Sequence, residues 1–317
     1  MENPRVAKAY LVDTHCHIHD HDYRLSDANI LALARKNNVR KIITIGTDPI
    51  DSTYACNYAA LHPGVFWSFG FHPEVLRPEA PQKPKATNQS AQKNPQETPA
   101  RSLKPSLALH QDLTQLLTQV ESGPSHLVLK GVTPSARLRE IIDALKAAAP
   151  ILRAPQLVAI GEIGLDYHFG AENRKEQIRL LEIMLQFAEK LKLPVSFHVR
   201  DAFADFWPVF DNFHLVPSVL HSFSDSESTL TEALKRDLYF GVNGLSTFAT
   251  IPHAPLERIV LETDSPFLTP KPFRGKINMP AYTKIVAAWA AAFYGLSASE
   301  VARITTKNAE KIFRLEE

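Results

Sequence analysis

The chain has only two cysteines, Cys16 and Cys56, in 317 residues. Two thiols cannot build a disulfide framework, which excludes the small secreted scaffold held by bridges. Long hydrophobic runs are missing as well. No stretch approaches the roughly 20 apolar residues that span a bilayer, and the polar start MENPRVAK has no apolar signal core. An intracellular protein, cytoplasmic or nuclear, with no secretory signal and no membrane partner is therefore expected. Charge of one sign is also lacking. A formal net charge of +1 gives no bulk reason to bind nucleic acid or a membrane surface. Any affinity for phosphate has to be local. The 44% hydrophobic and 22% charged fractions are those of an ordinary globular chain.

What the chain does have is thirteen histidines. Four of them, with two acids, fall in order at or just after short apolar runs. AYLVDTHCH carries His15 and His17, LVAIGEIGLD carries Glu162, LPVSFHVR carries His198, PSVLHSF carries His221 and RIVLETDSP carries Asp264. The runs alternate with segments of helical periodicity, the pattern of βα units on a parallel sheet. Helices are expected over 28–36, 52–61, 109–120, 138–148, 172–191, 203–210 and 227–236, and further helices over 279–306. KIITIGT, VFWSFGF and YFGVNG supply the remaining strands. Eight strands close a barrel of the TIM type, a (β/α)8 fold of about 250 residues. Residues 1–317 are read as one domain.

One segment breaks the rhythm. An insertion follows the third strand over 77–130, and its first part, 77–105, is rich in Pro, Gln, Asn, Lys and Ser. So few aliphatic residues cannot offset the entropy of ordering, so 77–105 is expected to be disordered. HLVLKGV at 126–132 is either an extra strand or part of the insertion. Six basic residues (Arg77, Lys83, Lys85, Lys93, Arg101, Lys104) against two acidic ones (Glu79, Glu97) leave a local charge of +4. It reads as a tolerated surface loop, as a basic arm for a polyanionic substrate, or as a docking segment for a protein partner.

His15 and His17 are two residues apart, so an extended strand turns both imidazoles to one face and Cys16 away. A neutral imidazole binds zinc or a similar ion at about 2.0–2.1 Å. Glu162 lies between Gly161 and Gly164, and its two oxygens can bridge two ions. His198 and His221 then complete a second metal position, and Asp264 returns to the first. Two ions roughly 3.5–4 Å apart stabilise both the attacking and the leaving oxygens of a phosphoryl displacement. Asp264 is also suited to accept the proton of the attacking water. Taken singly, each strand-end His or Asp could equally cap a helix or fill a buried hydrogen bond. Together they point to a metallohydrolase.

LVDTHCHIH, SFGFHPE, VAIGEIGLDYH, PVSFHVRDA, HSFS, LETDSP and PFRGKINMP occur in that order, and the chain resembles the TatD-type metal-dependent deoxyribonucleases of the amidohydrolase-like barrels. The likeness extends over the chain except for about 77–130. It implies divalent-metal-dependent hydrolysis of DNA phosphodiesters, commonly from the 3′ end, and the donor set itself fits two ions (Zn, Mg or Mn) and a metal-bound hydroxide. The likeness makes His15 and His17 ligands of one ion, Glu162 the bridge, His198 and His221 ligands of the other, and Asp264 a ligand and the catalytic carboxylate alongside Glu162. With DNA as the implied substrate, the near-neutral charge of the chain suits a pocket that engages strand ends or single strands.

Further candidates for substrate contact are His72 in GFHP, Arg200 two residues beyond His198, Arg274 in KPFRGK and Asn278 in KINMP. Each has a structural alternative: a strand cap for His72, an ion pair with Asp201 or Glu162 for Arg200, an exposed basic loop for Arg274 with Lys271 and Lys276, and a helix N-cap for Asn278. Lys130 is read as solvated. His19, His21, His62, His110, His126, His214 and His253 are read as surface or satisfied residues. Two other functions fit the same ligands less well: a deacylase acting on a nucleotide- or tRNA-linked acyl group, and a non-catalytic interaction module.

Overall fold

The computed structural model describes residues 9–20, 26–77 and 135–315. Within them the eight apolar runs become eight parallel strands: β1 Leu11–Cys16, β2 Val39–Ile45, β3 Val65–Phe71, β4 Leu157–Asp166, β5 Val195–Arg200, β6 Val219–Leu220, β7 Tyr239–Val242 and β8 Ile259–Leu261. They pair in chain order from β1 to β8. A parallel bridge between Cys16 and Ser265 brings the two ends together, reinforced by the Asp264 N–H on the His15 carbonyl at 2.8 Å and the His17 N–H on the Ser265 carbonyl at 2.7 Å. The sheet is thus the nearly closed TIM-type barrel expected from the sequence, and its closing hydrogen bonds run directly through the backbone of three of the ligand candidates.

The helices are α1 Asp27–Lys36, α2 Pro49–Leu61, α3 Ala136–Ala148, α4 Arg174–Leu191, α5 Phe203–Phe210, α6 Glu227–Lys235, α7 Thr283–Tyr294 and α8 Ala298–Phe313. Their bounds follow local chemistry. α2 begins three residues before the expected start because Asp48 accepts the N–H groups of Ile50 and Asp51, with Pro49 at the first position. α4 ends where Lys192 turns left-handed ahead of Pro194. Its buried stripe contains the expected Ile178, Leu181, Leu185 and Ala188, widened by Leu180, Ile183, Met184 and Phe187. Each of these side chains except the small Ala188 contributes about 1.5–3 kcal/mol against the barrel. α8 starts at a reciprocal Ser297–Glu300 capping box and runs past the expected end at 306 to Phe313. Its Ile312 and Phe313 pack with Val12, Ile43, Ile45, Val219 and Val260.

No single helix among the described residues is long and apolar enough to cross a membrane. The chain leaves β3 through a 3-10 turn, Pro73–Leu76, and re-enters at α3. The expected helix over 109–120, the segment 126–132 with Lys130, and all of the insertion beyond Arg77, including its suggested role as a partner-docking segment, lie outside the described residues.

Candidate metal centre

The six ligand candidates meet at the carboxyl ends of the strands. His15 and His17 leave β1 on one face, while Cys16 is buried among apolar neighbours. The His17 Nδ1–H donates to the Ile45 carbonyl at 3.0 Å, and the His15 Nδ1 meets the Ser196 hydroxyl at 3.1 Å. These partners fix the rings and leave both Nε2 atoms facing the barrel mouth. Glu162 projects from β4, His198 from β5, and His221 and Asp264 stand just past β6 and β8. Gly164 is what lets β4 and β5 close here. A Cβ on Gly164 would stand 1.7 Å from the His198 carbonyl oxygen.

Glu162, 4% exposed, is the hub. Its Oε2 lies 3.4 Å from His15 Nε2 and 4.0 Å from His17 Nε2. Its Oε1 lies 2.9 Å from His198 Nδ1, 3.2 Å from His221 Nε2 and 3.6 Å from His72 Nε2. Each oxygen therefore faces a different histidine set. Asp264 Oδ1 joins the first, 3.4 Å from His17 Nε2 and 3.7 Å from His15 Nε2. Asp264 is held there in a left-handed backbone conformation, φ 55°, which Asp adopts more readily than most residues.

The field in this cluster is strongly coupled. Burial alone would raise the Glu162 carboxyl, but His221, His72 and His15 hold it well below the ordinary carboxylate range. Burial opposes charge on His221 too, yet Glu162 and Glu262 hold its pKa well above the usual value. A site that draws a proton this strongly onto an imidazole draws a cation as well. His15, stacked on His221 at 3.8 Å, is pushed down by burial and by that neighbour, so its lone pair stays available. Its Nε2 is buried without a hydrogen bond. Burial likewise drives His72 down to about 4. For His198 and His17 burial is outweighed, by Asp166 and Glu162 in one case and Asp264 in the other, and both are raised.

The donor set suits a divalent cation. Three groups bring their ligand atoms within 4.8 Å of one another: His15, His17 and Asp264; His15, Glu162 and His221; and His72, Glu162 and His198. Imidazole with carboxylate, an orphaned imidazole nitrogen and a negative field fit Zn or Mn, with Mg the harder alternative.

The remaining expected residues separate. His72 belongs to the cluster, its Nδ1 accepting the Glu74 N–H while Nε2 faces Glu162. Arg200 is exposed, 5.7 Å from the Phe169 ring centre, and neither Asp201 nor Glu162 is paired with its guanidinium among the described residues. Arg274 stacks 3.7 Å over the Phe248 ring and lines neither lobe of the cleft described below. Asn278 is 0% exposed, a position that substrate cannot reach. Its Nδ2 donates to the Thr263 and Phe267 carbonyls at 2.7 and 2.6 Å, and its backbone N–H donates to Pro266. It laces the turn that presents Asp264. His19 is satisfied as expected, between Thr44 and Asp51.

Three acids escaped the sequence reading. Asp166 accepts from His198 Nε2 at 3.0 Å; burial would raise it, but that bond and the His168 N–H hold it at about 2. Glu262 accepts from the Ser222 N–H and the Asn243 amide and stands 3.4 Å from His221 Nδ1. Asp13 accepts from the Thr263 N–H and hydroxyl beneath the site. Each lies an even number of residues from a ligand, as Asp13 to His15, Glu162 to Asp166 and Glu262 to Asp264. That spacing was a usable signal.

The centre opens into a cleft with two lobes that share His198, Arg200, His221 and Asp264. One lobe, ≈ 760 Å³, is lined by Asp20, Asp48, Asp51, Glu74, Arg137 and Phe267, among others. The second, ≈ 550 Å³, passes His168, Asp201, Phe203, Ser222, Ser224 and Asp225.

Comparison with known proteins bears on the family and the fold. The family model described as TatD related DNase matches residues 12–314. An uncharacterized metal-dependent hydrolase of Bacillus subtilis is 36% identical over 169 residues, 50% of this chain and 66% of the relative, so the matched part spans just under two thirds of that protein. One of Buchnera aphidicola is 25% identical over 318 residues, covering 96% of this chain and 100% of the relative. The 3′-5′ ssDNA/RNA exonuclease TatD of Citrobacter rodentium is 32% identical over 197 residues, 58% of this chain and 75% of the relative. Among solved structures, a TatD homologue from Escherichia coli K12 superposes with a TM-score of 0.69 at 23% identity, covering 96% of this chain and 98% of that one, which supports the fold. The chain belongs to the TatD-related DNase family of metal-dependent hydrolases.

Proposed function

We propose that this chain is a deoxyribonuclease that removes nucleotides from the 3′ end of single-stranded DNA by hydrolysis with two divalent ions. The observation that carries the reading is the division of Glu162, one oxygen toward His15 and His17 and the other toward His198, His221 and His72. A relative named as a 3′-5′ ssDNA/RNA exonuclease supports the polarity and the single strand. His15, His17 and Asp264 would hold one ion, His198 and His221 the other, with Glu162 between. Bound there, the ions act as Lewis acids on the phosphodiester and lower the pKa of water.

The protein's own groups do the rest. Burial works against ionisation of Asp264, but His17 and His221 hold its pKa below the usual value, so it is an anion at neutral pH and can accept the proton of the attacking water. Water adds at phosphorus, the bond to the 3′ oxygen of the preceding nucleotide breaks, and that oxygen leaves with a proton. The Arg200 guanidinium is exposed at the junction of the two lobes, and in this reading it forks onto the phosphate. His72, neutral at pH 7, adds a lone pair beside Glu162 rather than a charge.

The test is end-labelled single- and double-stranded DNA, with chelated protein and after adding back Zn, Mn or Mg, beside an acyl-ester substrate. A cation-dependent ladder shortening from the 3′ end of the single strand is expected. Cleavage that survives chelation, or hydrolysis of the ester alone, would remove the reading.

A further inference from the structure

The cleft is asymmetric in a way that the metal centre does not require. Beyond the acids of the centre itself, the larger lobe carries four carboxylates, on Asp20, Asp48, Asp51 and Glu74, against Arg137 and the shared Arg200, where the smaller lobe carries two, on Asp201 and Asp225, against Arg200. A run of phosphates entering there is repelled. The same lobe holds a large apolar side chain kept out in solvent: Phe267, 57% exposed, with its ring 6.2 Å from the His17 ring at an interplanar angle of 64°. Its backbone is not free to fold the ring inward. The Phe267 N–H donates to the Asp264 carbonyl at 2.8 Å, and the fully buried Asn278 holds the Phe267 carbonyl. The turn that places Asp264 therefore also fixes an exposed aromatic face beside the centre.

Resting on the nuclease reading above, we propose that this lobe is the subsite for the terminal nucleoside of a single strand, and that Phe267 is the platform on which its unpaired base stacks. The chemistry of the lobe matches such an occupant. A 3′-terminal nucleoside carries no phosphate beyond the scissile one, so it brings a base and a sugar, and no further anion, to the acidic wall. Base amino groups can donate to the carboxylates there. Aromatic faces accept any base, which makes the subsite sequence-tolerant. The rest of the strand, with its phosphates, leaves over the smaller lobe, which has half as many acids of its own (Asp201 and Asp225), past Arg200, His168, Ser222 and Ser224. A terminal base still paired in a duplex would have to be unpaired before reaching Phe267, so the subsite selects single strands.

The experiment compares release of the last nucleotide from two single strands that differ only at the 3′ end. One ends in a natural nucleotide and the other in an abasic residue. Each is measured with the full-length, metal-loaded wild type, Phe267→Ala and Phe267→Trp. Wild type is expected to prefer the natural end by about tenfold in kcat/KM, the scale of one base–aromatic stack. Phe267→Ala should lose that preference through a raised KM on the natural end, and Phe267→Trp should restore it. Equal discrimination by wild type and Phe267→Ala, with nucleotide release intact, overturns the stacking platform and leaves the nuclease reading standing. A wild type that releases no nucleotide from either strand overturns both.

Discussion

Asn278→Ala separates two roles that the sequence left open for one residue. As a substrate contact, Asn278 would affect KM and little else. In the structure it is fully buried and makes two side-chain bonds, to the carbonyls of Thr263 and Phe267, and its Oδ1 accepts the Met279 N–H. Truncation leaves those backbone groups without their partner inside the turn, at about 1–3 kcal/mol for each buried group that water cannot reach. The Phe267 side is open to solvent, so the Thr263 carbonyl dominates and the loss should total about 2–4 kcal/mol. For a chain of 317 residues, at about 2.1 cal/mol/K of unfolding entropy per residue, that is a fall in Tm of roughly 3–6 °C. Denaturant unfolding and thermal melts of the metal-free protein measure it without reference to activity. Because the turn carries Asp264, nuclease activity should fall with stability, and mainly in kcat. An Asn278→Ala protein with unchanged Tm and only a raised KM would refute the clamp and restore the contact.

Gly164→Ala should be among the most damaging small substitutions, because the added Cβ meets the His198 carbonyl oxygen at 1.7 Å. About 1–3 kcal/mol or more of stability and a loosened His198 are expected, read by unfolding and by metal titration. Asp166→Asn replaces the carboxylate that His198 Nε2 faces, so cation affinity should fall about ten- to hundredfold with the fold intact, measured by calorimetry. For His72 the folded pKa of about 4 lies below the ordinary 6.5. The unfolded chain then takes up the proton first, and stability is complete above pH 6.5 and lost as pH falls toward 4. The slope is about 1.4 kcal/mol per pH unit in that window, roughly 3 kcal/mol in all. His72→Gln should remove that component from unfolding curves of the metal-free protein between pH 4 and 7, and parallel curves for variant and wild type would contradict it.

The barrel was legible because its signal is local. Eight apolar runs of strand length stand out against helical periodicity, and in a TIM-type barrel such runs pair in chain order. The six candidate ligands were legible as a set because histidine and carboxylate at strand ends carry their own chemistry, and the structure brings them together. What stayed hidden depends on register between strands. That Asp166 meets His198, that Glu262 supports His221 and that Asp13 holds Thr263 is set by neighbouring strands from distant parts of the chain. His72 was read near the substrate, yet its Nε2 lies 3.6 Å from Glu162, because the 3-10 turn after β3 directs it inward. Phe267 follows the last residue of a motif noticed only for its acid, and nothing in a lone phenylalanine announces that it will be held in solvent.

The central claim is that Glu162 joins two cation positions. Metal content of the purified chain tests it most directly, after chelation, reconstitution with Zn or Mn and removal of excess, for wild type and Glu162→Gln. The account predicts two ions per chain in wild type and loss of at least one in the variant, with the folded far-UV spectrum retained. A single ion in wild type, or two ions still bound to Glu162→Gln, would contradict it.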